Sequence, residues 1–159
     1  MIKVTLIVLS KLKEKYLKDA SDEYLKRLSR YCRLQVVEIE PERLSDNPSQ
    51  SEIDSALEKE AQSILKKIPE SSYVAAMCIE GKKMSSEQFA KTLSSAQFSS
   101  GGITFIIGSS YGLAGRVKQK ADICLSVSDM TFPHQLFRIM LLEQIYRGFK
   151  INEGSAYHK

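Results

Sequence analysis

No segment of this chain stays apolar over the ~20 residues that a membrane-spanning helix requires, so no membrane association is expected. A cleaved leader is also disfavoured. The apolar opening Met1-Ile2-Lys3-Val4-Thr5-Leu6-Ile7-Val8-Leu9 has its main basic cluster, Lys11, Lys13 and Lys15, behind it, and no A-x-A-like cleavage site follows. It reads as a first strand, in a protein expected in the cytoplasm. Cysteine is sparse: Cys32, Cys78 and Cys124 are far apart, odd in number and without the C-x-x-C spacing of a zinc or redox site. They read as small buried hydrophobes, and no metal is expected. Neither G-x-x-x-x-G-K-[ST] nor G-x-G-x-x-G occurs, so neither a phosphate loop nor a dinucleotide fold is supported. Charge of one sign is also in short supply. A net charge of +4 is too small for a nonspecific nucleic-acid coat, so an RNA ligand would have to be met by locally focused charge.

What is present suits one compact core. The 159 residues, 43% of them hydrophobic, are enough to bury a core without metals or disulfides, and a single domain over residues 1–159 is expected. Ile2–Leu9 and Leu34–Ile39 are β-branched runs, with Leu17, Ala20, Tyr24, Leu25 and Leu28 at helical spacing between them. Pro41 to Ser49 is the best loop. Ser49 with Glu52 has capping-box spacing for a helix buried through Ile53, Leu57, Ala61, Ile64 and Leu65. Tyr73–Ile79 reads as a third strand broken by Gly81, and Ser85 with Gln88 repeats the capping-box spacing before a helix near Glu87–Phe98. A fourth strand at Ile103–Ile107, a short helix near Gly115–Ala121, a fifth strand at Ile123–Val127 and a helix from about Pro133 to Phe149 complete the chain. This alternation predicts an α/β fold, a mostly parallel sheet with helices on both faces, whose ligands bind beyond the carboxyl ends of the strands. Three such ends stand out, at Ile79-Glu80-Gly81, Ile107-Gly108-Ser109 and Val127-Ser128-Asp129.

Gly108-Ser109-Ser110-Tyr111-Gly112 spells G-x-S-x-G, and Asp122 or Asp129 and then His134 follow Ser110 in the order of an α/β-hydrolase triad. The short, glycine-broken helix that follows, and the lack of a second glycine-rich oxyanion loop, weigh against a hydrolase. As backbone, the same glycines either bring the chain close to a flat ligand such as a nucleoside or simply make a tight turn. His134 opens the last helix with Arg138 one turn later, so both can face one site. A histidine beside a helix N-terminus favours its neutral form, and the plainer reading is a histidine that caps its own helix. The last helix is apolar around much of its circumference, from Leu136 and Phe137 to Tyr146 and Phe149, which predicts a self-association surface. Glu143 and Arg147 are spaced for a helical ion pair. The terminal Tyr157-His158-Lys159 is either a frayed end or a stacking ring beside cationic donors that could hold an unpaired base.

Taken together, Thr131-Phe132-Pro133-His134-Gln135, Glu143-Gln144-Ile145-Tyr146-Arg147 and Ala156-Tyr157-His158-Lys159, with Lys11-Leu12-Lys13-Glu14-Lys15-Tyr16, Glu80-Gly81-Lys82 and Gly108 with Gly112-Leu113, closely resemble the RlmH family. These are bacterial 23S rRNA (pseudouridine N3)-methyltransferases of the SPOUT superfamily. The resemblance spans essentially the whole chain. It implies a C-terminal trefoil knot, a homodimer, S-adenosylmethionine as cofactor, and a substrate nucleotide in the helix 69 loop of 23S rRNA in the assembled ribosome. It places cofactor contacts at Met77, Gly108, Val127, Ser128, Asp129, Met130, Thr131 and Phe132. It places the substrate side at Arg138, Tyr157, His158 and Lys159, with His134, Arg138 and His158 as the catalytic set and both protomers contributing to a site. This chain has Ser10 and Ser109 where members commonly carry glycine, and Lys159 where they often carry arginine. The Ser109 side chain is expected to narrow the cofactor loop. A non-catalytic RNA- or nucleotide-binding module is the remaining alternative.

Overall fold

Alternating side chains on apolar strands give this sheet two dry faces. In the computed structural model, which describes residues 1–158, the strands are β1 (Ile2–Val8), β2 (Cys32–Glu38), β3 (Tyr73–Lys83), β4 (Gly102–Ile107) and β5 (Ile123–Ser126). They form one sheet in the order β2-β1-β4-β3-β5, and every neighbouring pair is parallel. Parallel strands need crossovers, and these are the helices α1 (Lys15–Leu28), α2 (Gln50–Leu65), α3 (Ser86–Ser100) and α4 (Gly115–Lys120), with α5 (His134–Asn152) last. Val4, Leu6 and Val8 of β1 face one way with Phe105 of β4 and Met77 of β3, under Leu28 of α1, Phe89 and Leu93 of α3 and Leu142 and Ile145 of α5. Ile7, Val74, Ala76 and Ile106 face the other way, under Ala61 and Ile64 of α2 and Val117 of α4. The expected α/β sheet covered on both faces is therefore the observed one.

Both capping boxes form. Ser49 Oγ accepts from the Glu52 N–H while the Glu52 carboxylate accepts from the Ser49 N–H, and Ser85 with Gln88 does the same. Three expectations change. Gly81 does not end the third strand: β3 continues to Lys83, with a register shift against β5 between Met77 and Lys82. A Cβ on Gly81 would lie 2.6 Å from the Leu125 carbonyl carbon, so glycine here admits a close approach of two backbones at a bulge. Second, much of the apolar circumference of α5 is covered inside the chain, by Leu12, Leu17 and Tyr24 on one flank and by Phe89 and Leu93 on the other. Third, Cys32 is buried, whereas Cys78 and Cys124 are half-exposed; all three are free thiols. Among the described residues, no helix is long and apolar enough to cross a membrane.

Candidate functional site

The carboxyl ends of β3, β4 and β5 open onto a cleft of about 710 Å³. That size suits a nucleoside-sized ligand, since small-molecule sites span roughly 300–1,000 Å³. One wall is the turn after β4. Its closure is a hydrogen bond from the Gly112 N–H to the Ser109 carbonyl at 2.9 Å, with Gly112 at φ +85, in the left-handed region. Gly108 sits against this turn so closely that a Cβ would lie 2.3 Å from the Gly112 carbonyl oxygen. The glycines thus make a tight turn, and its residues Gly108 to Gly112 line the cleft.

The opposite wall is the segment between β5 and α5. Ser126 Oγ donates to the Ser128 carbonyl at 2.9 Å, and Ser128 Oγ accepts from the Met130 N–H at 3.0 Å, so the hydroxyls hold an irregular backbone in shape. Met77, Gly108, Val127, Ser128, Met130, Thr131, Phe132 and His134, all singled out in the sequence, line the cleft together. Asp129 does not line it. Its carboxylate turns outward to Lys83 Nζ at 2.5 Å.

His134 is the first residue of α5, behind Pro133 at the N-cap, and no side chain caps this helix. The self-capping role for the imidazole therefore drops out. Its pKa is lowered, first by burial and then by the nearby Lys13, so the neutral ring is favoured. The helix N-terminus points in the same direction.

Arg138 lies elsewhere. It is only 5% exposed, its Nη1 donates to Glu38 Oε2 at 2.9 Å, and its Nε is buried without a partner. Tyr157 and His158 are also away from the cleft, and they are packed rather than frayed. Tyr157 meets Tyr146 edge-on at 5.1 Å and lies under the Arg147 guanidinium at 4.9 Å. His158 Nε2 is 2.6 Å from Glu87 Oε1, and its Nδ1 is 3.3 Å from Arg147. The Glu87 carboxyl is held down at about 2, by its own backbone N–H first and then by His158. The expected Glu143–Arg147 ion pair is present at 2.7 Å. Lys159 lies outside the described residues.

The hydrolase arrangement is not assembled. Asp122 accepts from the Val74 N–H at 2.7 Å, at the amino end of the strands and so across the sheet from the cleft, and Asp129 is paired with Lys83. Ser110 and His134 share the cleft, and among the described residues no acid hydrogen-bonds the ring. Among the described residues, no group of three or more His, Cys, Asp or Glu is gathered as a metal site. Sequence reasoning passes over the Lys118–Glu80 ion pair and Phe137 in the cleft wall. Glu80 stands at an expected strand end, but nothing in the spacing brings Lys118 to it.

Comparison with known proteins adds a consistent likeness. The family model described as "Predicted SPOUT methyltransferase" matches residues 2–158. The chain is 53% identical over 157 residues to ribosomal RNA large subunit methyltransferase H of Clostridium kluyveri, covering 98% of this chain and 99% of that relative. It is 51% identical over 159 residues to the protein of the same name in Streptococcus thermophilus, covering 99% of this chain and 100% of that one. For that of Clostridioides difficile the figures are 48% over 157 residues, 98% and 99%.

Proposed function

The chain belongs to the SPOUT methyltransferase family, and from that premise we propose that it methylates N3 of a pseudouridine in the helix 69 loop of 23S rRNA on the assembled ribosome, with S-adenosylmethionine as donor. The observation that carries the reading is the cleft into which Met77, Gly108, Val127, Ser128, Met130, Thr131, Phe132 and His134 are gathered. Its fit to the donor rests on the glycine turn, where a Cβ at Gly108 would strike the Gly112 carbonyl and force the cleft wall to shift, and on apolar walls from Met77, Leu125 and Phe132. When bound there, S-adenosylmethionine supplies a methyl group already activated by its sulfonium. Met77, Gly108, Val127, Ser128, Met130, Thr131 and Phe132 would hold it, and Asp129, paired with Lys83, would brace the loop from outside.

The remaining work belongs to the chain's own groups. They align the target nitrogen with the methyl group and help it lose a proton, and alignment alone can supply several orders of magnitude in rate. His134, neutral and at the cleft wall, is placed to accept or share the N3 proton. Arg138 and His158 orient the base and stabilise its developing charge, and Tyr157 and Lys159 hold the RNA beside them. In one chain Arg138, Tyr157 and His158 do not reach the cleft. The active form is accordingly a homodimer, in which the tail of one protomer completes the cleft of its partner. The exposed Leu136 and half-buried Phe137 and Met140 of α5 offer apolar area for such contact. The whole chain acts as one cytoplasmic SPOUT-type domain, with the C-terminal trefoil knot that the family likeness implies.

The test is transfer of labelled methyl from S-adenosylmethionine to ribosomes of a strain lacking this modification. Incorporation mapped to N3 of one pseudouridine is expected. Absence of incorporation by dimeric, cofactor-binding protein would falsify the proposal.

A further inference from the structure

We propose that Glu60 is a positioning residue for the turn at 108–112, acting through Ser109, and that this tether sets how tightly the cleft holds its cofactor. The proposal rests on the reading of the cleft given above. Glu60 sits on α2, beneath the sheet face opposite α5, and is 5% exposed. Its two oxygens hold two different loops. Oε1 accepts from Ser109 Oγ at 2.7 Å, and Oε2 accepts from the Glu42 N–H at 2.9 Å. A carboxylate engaged at both oxygens is a fixed post, and a hydroxyl bound to an ionised acceptor is held more strongly than to a neutral one.

Ser109 is where that post meets the cleft. Its carbonyl closes the turn with the Gly112 N–H, and Gly108 just before it is packed against the Gly112 carbonyl. The backbone is thus wedged on one side by close packing and pulled on the other by Glu60. A glycine at this position would add backbone freedom and leave Glu60 Oε1 without its partner. The serine hydroxyl is drawn toward α2 instead of standing free in the cleft, so the side chain expected to narrow the site is what fixes its wall. The same carboxylate ties down the loop after β2, so both loops share one anchor.

The experiment is calorimetric binding of S-adenosylmethionine to the full chain and to S109A, E60A, E60Q and the S109A/E60A double variant, with hydrogen exchange of the amides at 109–113. S109A and E60A should each weaken binding about tenfold, the scale of one lost hydrogen bond to a charged group. The double variant should be no weaker than E60A, because both changes remove one interaction. Exchange at 109–113 should quicken in S109A, and KM for the cofactor should rise more than kcat falls. E60Q should keep most of the affinity, since its amide can donate to Ser109 Oγ while its oxygen still accepts from Glu42. E58Q, on the outward-facing partner of Arg116, serves as the control and should change neither quantity. Unchanged affinity and exchange in S109A, or strictly additive losses in the double variant, would overturn the tether. If the unaltered chain binds no S-adenosylmethionine, the cofactor reading fails instead, and exchange in S109A alone decides whether the tether exists.

Discussion

Gly108 has no room for a side chain, and what one would strike is backbone: the Gly112 carbonyl oxygen, 2.3 Å from where a Cβ would stand. Backbone in a closed turn cannot rotate aside. Gly108→Ala should therefore open the turn, weaken cofactor binding at least about tenfold and cost about 3 kcal/mol of stability. Calorimetry beside a melting curve separates the two. His134 makes a pH prediction. A histidine whose folded pKa is lowered stabilises the fold fully above its ordinary value near 6.5, and that contribution is lost as pH falls through the lowered folded value. The acid limb of kcat/KM should accordingly lie below 6.5 and disappear in His134→Ala; a limb at or above the ordinary histidine value would remove the neutral ring from the mechanism. At this scale the sequence is informative about residue type and poor about partners. His134 and Gly108 can be chosen from motif position, but Glu60 meets Ser109 across 49 residues, a contact no local spacing encodes.

Elements are legible wherever their signals are local. A capping box depends on side chains three residues apart, so Ser49 with Glu52 and Ser85 with Gln88 can be paired by spacing, and both pairs form. Ser49→Ala should lower stability by about 1 kcal/mol, a melting point lower by about 2–4 °C, while methyl transfer at ambient temperature persists. Signals that depend on a neighbouring element mislead. Gly81 looks like a strand terminator, yet its purpose depends on β5 passing within 2.6 Å. Gly81→Ala should force β3 and β5 apart at a cost of about 3 kcal/mol, more than the cap variant, and disturb the cleft that both strands end in. Likewise α5 is apolar on several sides because α1 and α3 flank it within the chain, which periodicity alone does not distinguish from contact with a second copy.

At the scale of the molecule, the cleft and the docked residues Tyr157 and His158 lie apart in a single chain. Tyr157 and His158 are fixed on α5 and α3 by Tyr146, Arg147 and Glu87, so the tail is presented in a defined geometry rather than left to search. Deleting residues 157–159 should abolish methyl transfer while the oligomeric state and the melting curve stay close to those of the full chain. Full activity after deletion would remove the tail from the site. The parallel sheet and its two buried faces follow from alternation of pattern; the proposed division of labour between cleft and tail does not, because in that proposal it arises only between two chains. The most direct measurement of the central claim compares two ribosome preparations as acceptors of labelled methyl, one with the target uridine already isomerised to pseudouridine and one from a strain unable to isomerise it. Rapid transfer to N3 of a single nucleotide is predicted in the first and little in the second. Equal labelling of both, or labelling of neither by cofactor-binding enzyme, would contradict it.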